Sequence, residues 1–219
     1  MGFFTAAGLA LIALLPTFYW RKQKIAIKQT VNQDGTFTAA ISMLKQPGMG
    51  KAIYISLAVS SAVDVLIVFL PLFGTENNFS PFAVGVILAI RAGTSMFSRI
   101  FLGAIAQKLG SHFLMVSSIV ASTVFCAAMF FARTPLTLAI AVGIAGLALG
   151  VGQPLTMSLV SRLAPPEDRA LAISARLTAN RVGQFVVPAS AGAIAGAAGA
   201  GSIFLGLAAL LASSIFTAL

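Results

Sequence analysis

The chain is short of negative charge. Its 219 residues hold five Asp or Glu against fourteen Lys or Arg, and charged residues of both signs make up only 9%. A soluble domain of this size carries about 25% charged residues, so an ordinary water-solvated domain is excluded. Cys126 is the single cysteine, which excludes an internal disulfide. His112 is the single histidine. No ligand-type residues cluster at metal spacing, and no G-x-S-x-G nucleophile motif is present, so neither a cofactor nor an enzyme activity is expected. The formal net charge of +9 would suggest a nucleic-acid partner in a soluble protein. Here Arg21, Lys22, Lys24, Lys28, Lys45 and Lys51 crowd one polar stretch. That is the pattern of basic residues flanking membrane spans, and no nucleic acid is expected.

What is present is apolar. Hydrophobic residues reach 58% and mean hydropathy is +0.99. Seven apolar runs lie at about 2–20, 51–73, 83–106, 112–132, 136–161, 170–197 and 199–219. Each is long enough to cross the hydrocarbon as a helix of about 20 residues, and a helix satisfies its own backbone hydrogen bonds in lipid. The first run lacks the basic flank of a signal peptide and reads as a span. The expected fold is therefore an all-α polytopic membrane protein with about seven transmembrane helices.

Basic residues set the expected orientation. The 21–50 segment, Lys108 in the 107–111 turn, and Arg162 and Arg169 around the 162–169 turn are expected in the cytoplasm. This puts the N-terminus outside and the C-terminus inside. Within 21–50, Asp34-Gly35 marks a turn. Phe37, Ile41 and Leu44 then share a face, as in a short amphipathic helix on a membrane or protein surface. Pro47-Gly48 ends it.

Polar residues inside the runs are the candidate site. Asp64 is the sole acid within any run, and an intramembrane carboxylate is a functional candidate. Ser56, Ser60 and Asp64 repeat every four residues and share a helix face. Arg91, Ser95, Ser98 and Arg99 share a face of the next run. Counting from the loop between these runs, Asp64 and Arg91 lie at a similar depth, about 13–15 Å at 1.5 Å per residue. An ion pair between them is one expectation. Arg99, closer to the cytoplasmic end, reads as a snorkelling side chain. In the 170–197 run, Arg176, Asn180 and Gln184 form a third stripe with Arg181 beside it. Four arginines against one carboxylate leave two alternatives open: acids supplied from elsewhere, or a cavity that favours an anion. Gly146 with Gly150, and Gly192 with Gly196, form two G-x-x-x-G pairs suited to close helix packing.

Three passages resemble the major facilitator superfamily of secondary transporters, in its second half. The stretch Arg99-Ile-Phe-Leu-Gly103-Ala-Ile-Ala-Gln107-Lys108-Leu-Gly110 is similar to the family's cytoplasmic signature G-x-x-x-D-[RK]-x-G-[RK]-[RK], with Gln107 in place of Asp, and Ser111 and His112 in place of the basic pair. Ser80-Pro81-Phe-Ala-Val-Gly85 is similar to the start of the preceding helix. Pro165-Pro166-Glu167-Asp168-Arg169, then Arg176-Leu-Thr-Ala-Asn180-Arg181-Val-Gly183-Gln184 and Pro188, resemble bacterial efflux members.

The resemblance implies that residues 51–219 are a six-helix C-terminal half. Residues 1–20 would be the last helix of a missing N-terminal half, and 21–50 the cytoplasmic loop joining the halves. It implies alternating access with the solute between the halves, coupled to protons, in a bacterial inner membrane. Partners would be the lipid bilayer, a small-molecule substrate, and the other half or a second copy. The spans carrying Asp64 and Gly150 would line the central cavity, and those carrying Arg91 and Arg181 would meet the other half. The alternative is a membrane fragment or assembly partner that does not transport alone.

Overall fold

The computed structural model describes Met43 and residues 46–218. The expected first span at 2–20, most of the 21–50 loop and its amphipathic stretch lie outside the described residues.

Six α-helices follow one another: α1 (Met49–Glu76), α2 (Pro81–Leu109), α3 (Ser111–Phe130), α4 (Pro135–Leu163), α5 (Arg169–Ala198) and α6 (Gly201–Ala218), with a 3-10 turn at Pro166–Asp168 before α5. Local chemistry sets their ends. Ser80 caps α2 by accepting from the Ala83 N–H at 3.2 Å, and Pro81 opens the first turn, where its missing N–H costs nothing. Thr134 and Thr137 form a reciprocal cap on α4, again followed by a proline. Gly110, at φ 80°, both ends α2 and begins α3. A side chain at that φ would be strained.

By length and composition, α1 to α4 are each able to cross a membrane. Helix α5, at 30 residues, is long enough but carries Arg176 and Arg181 within it. Helix α6 is apolar but shorter, 18 residues. At 1.5 Å per residue α6 reaches about 27 Å, close to the hydrocarbon thickness.

Helices α1 and α4 form the centre. Helix α1 packs against α5, α4 and α6; α4 packs against α2, α3 and α1. Side chains tie the two ends of the bundle. At one end Met43, Met49 and Ile53 meet Val160, Ala164 and Ala172, joining the start of α1 to the end of α4 and the start of α5. At the other, Phe73 stacks edge-on against Phe204 with ring centres 5.0 Å apart, and Glu76 accepts from the Ala200 N–H at 2.9 Å.

One neighbour relation differs from expectation. Helix α2 packs chiefly on α4 and only lightly on α1, although a short turn links it to α1. The glycines of α4 explain this. A Cβ on Gly146 would lie 2.5 Å from Thr94 Oγ1 and 2.9 Å from the Arg91 carbonyl, and one on Gly150 would lie 2.8 Å from the Ser95 main chain. Without side chains there, the two backbones come together. The second pair behaves otherwise. Gly196 has nothing within reach and Gly192 only the tip of Phe69, so among the described residues neither supports a close helix contact.

Candidate functional site

A cleft of about 430 Å³ opens between α1, α2, α4 and α5. Its polar lining is Ser60 from α1, Arg99 from α2, Gln153 from α4, and Arg176, Asn180, Arg181 and Gln184 from α5. Arg176 lies seven residues and Gln184 fifteen residues into α5. At 1.5 Å per residue the cleft therefore spans about 10–22 Å from the end where α1 begins and α4 gives way to α5.

Pro154 shapes one wall. Proline has no N–H to offer the carbonyl four residues earlier, so the Gly150 carbonyl loses its helical partner. The Arg99 Nε–H takes that place, donating to the Gly150 oxygen at 3.2 Å, and its Nη2 donates to Gln153 Oε1 at 3.1 Å. Arg99, expected to snorkel, is thus tied across to α4. Arg176 is 5% exposed. Its Nη2 donates to the Gln153 carbonyl at 3.2 Å and to Thr156 Oγ1 at 3.1 Å, while its Nε is buried without an acceptor. Arg181 Nη1 donates to Gln184 Oε1 at 2.7 Å. Ser56 donates to Asn180 Oδ1 at 3.2 Å, fixing α5 on α1. Gly183 permits that approach, since a Cβ there would meet Leu57 Cγ and Ser61 Oγ at 2.8 Å.

Of the candidates named from sequence, Ser60, Arg176, Asn180, Arg181 and Gln184 come together in this cleft. Asp64 and Arg91 lie outside it. Both are half-buried. Among the described residues no direct ion pair joins Asp64 to Arg91. Asp64 Oδ2 and Arg91 Nε are each buried without a hydrogen-bond partner, as is Ser61 Oγ. The light packing of α1 on α2 is the physical reason the pair does not close. Gly103, Gln107 and Lys108 sit exposed in the last turns of α2, just before Gly110. Gln153 is a cleft residue that sequence reading missed, and Arg99 was placed on a polar stripe but read as snorkelling. Their signal was Pro154, four residues beyond Gly150.

Residues 52–219 match the family model described as Major Facilitator Superfamily. The chain belongs to this superfamily. It is an integral membrane protein of all-α fold in a family of transporters. A relative from Lactococcus lactis, named "Multi-drug resistance efflux pump PmrA homolog", is 30% identical over 122 residues, which are 56% of this chain and 30% of the relative. The aligned stretch is thus less than a third of that protein's length.

Proposed function

We propose that this superfamily member is the C-terminal half of a secondary transporter that exports a small solute across a bacterial plasma membrane by alternating access, with Asp64 exchanging the coupling proton. The observation that carries this reading is the polar cleft, which penetrates about half the depth of an otherwise apolar bundle. Such a face cannot contact lipid without large cost. The name of the Lactococcus lactis relative supports export as the direction.

The proposal includes a second six-helix half. Helices α2 and α5 present large apolar side chains outward, among them Phe82, Phe97, Ile100, Phe185 and Val186. In this reading residues 1–20 are the last helix of the other half and 21–50 the joining loop, on the cytoplasmic side. Single cysteines at Gln29 and Asn77, in a Cys126→Ser background, should label from opposite faces of intact cells. Labelling from one face would sink the orientation.

Asp64 is suited to proton exchange because it is a carboxylate within a membrane span and one of its oxygens is buried without a hydrogen-bond partner. In proteoliposomes of the assembled transporter, Asp64→Asn should keep solute exchange at equilibrium but lose accumulation driven by a pH gradient. Normal pH-driven accumulation in that variant would make Asp64 structural. A second reading, a membrane component that does not transport by itself, draws on the same exposed α2 and α5 faces. It predicts that the chain alone self-associates in nanodiscs and shows no flux.

A further inference from the structure

We propose that the cleft binds an organic anion, its carboxylate or other oxyanion head held by Arg176 and Arg181 and its apolar body laid on Leu102, Met157 and Leu177. This names the solute class for the transport reading and rests on that reading.

Charge is the first ground. Arg99, Arg176 and Arg181 face one cavity of about 430 Å³, and no acidic residue lines it. Asp64, the acid within the spans, is not part of the lining. Like charges that share one cleft repel, and an anion relieves that repulsion.

Hydrogen-bond polarity is the second ground. Arginine can only donate. Gln153 and Gln184 must therefore turn their amide oxygens to Arg99 and Arg181, and Asn180 Oδ1 already accepts from Ser56. Each of the three amide oxygens of the lining already accepts one bond, and Ser60 adds a hydroxyl that can donate or accept, so NH2 groups and guanidinium N–H are the larger share of the free valences. The Arg176 Nε–H is buried and has no acceptor. A cleft whose donors outnumber its acceptors and whose charges are all positive favours an acceptor-rich ligand over an ammonium head. A bidentate carboxylate fits the guanidinium fork. Apolar Leu102, Pro154, Met157 and Leu177 complete the lining, so a bare inorganic ion leaves that wall unused.

The test is equilibrium binding to the purified chain in maltoside micelles free of phospholipid. Unfolding is followed by thiol labelling of Cys126, which is buried in the fold. Three probes of one shape are compared: benzoate, neutral benzamide and cationic benzylamine. Benzoate should bind at least about tenfold tighter than either, the size expected for one charge-assisted hydrogen bond. Arg181→Gln, at an exposed position, should remove that preference, and Arg181→Lys should retain part of it. Arg133→Gln, in the turn between α3 and α4, should leave it intact. Arg176→Gln is the stronger variant, but Arg181 decides the matter if Arg176→Gln does not fold.

Equal binding of the three probes, or a benzoate preference that survives Arg181→Gln, overturns the proposal. So does protection by added phosphatidylglycerol with none by benzoate, which would make the cleft a lipid headgroup site. Benzoate binding without flux of any probe in proteoliposomes of the assembled protein would sink the transport reading and leave the anion site standing. Pumping of benzylamine but not benzoate would do the reverse.

Discussion

Two glycine pairs in this chain have the same spacing and opposite fates. Gly146 and Gly150 on α4 lie against the backbone of α2. Gly192 and Gly196 on α5 are exposed. What differs is the opposing surface. Helix α2 turns Thr94, Ser95 and Ser98 toward the α4 glycines, and Thr94 and Ser98 satisfy their hydroxyls on their own helix, bonding the Arg91 and Ser95 carbonyls at 3.1 and 2.9 Å. Small groups meet small groups, and no polar atom there needs a partner across the gap. The α5 glycines face no such strip among the described residues. Spacing permits a close contact; a facing row of small, self-satisfied side chains makes it.

The largest expected effect tests the packed pair. Gly150→Leu drives a branched side chain into the α2 backbone and should cost upwards of about 3 kcal/mol, enough to abolish folding in detergent. Gly150→Ala and Gly146→Ala each add one methyl where main-chain atoms cannot retreat, and should cost about 1–3 kcal/mol, read as a lower thermal midpoint. If either alanine variant is as stable as the parent, the close approach of α2 and α4 is wrong.

Arg99→Gln should cost about 1 kcal/mol, because the Gly150 carbonyl is left without a strong donor. In a Pro154→Ala background residue 154 regains an N–H for that carbonyl, and the Arg99→Gln penalty should shrink. Equal penalties in both backgrounds would show that the two do not interact. The smallest effect belongs to the exposed pair. Gly192→Leu and Gly196→Leu should change the stability of this chain by less than about 0.5 kcal/mol, as surface changes do. If they instead weaken assembly of the complete transporter, the α5 glycines meet the other half.

Much of this was legible in the sequence because lipid leaves few options for a backbone. The last six apolar runs match the helices α1–α6 to within about three residues at each end, since Gly110, Gly199 and the Ser80-Pro81 and Thr134-Pro135 caps mark the ends. The α5 stripe was equally readable, because Arg176, Asn180 and Gln184 repeat at the helical period and cannot face lipid. Which helices touch was not readable from connectivity. A short turn between α1 and α2 argued for an Asp64–Arg91 pair, but the α4 glycines draw α2 away. The cleft role of Arg99 was hidden for a related reason. One of its two partners is a carbonyl, and main-chain acceptors leave no residue type to read; only the proline that frees them does.

Helix α4 is a ladder with one rung borrowed from outside. Where Pro154 removes the internal bond, the Gly150 carbonyl is held by a guanidinium rooted in α2. A helix bends most readily where its own bond is missing. The stiffness of α4 at mid-height is therefore set by its neighbour, and whatever draws Arg99 away from Gly150 unlocks a pivot in the central helix of the bundle.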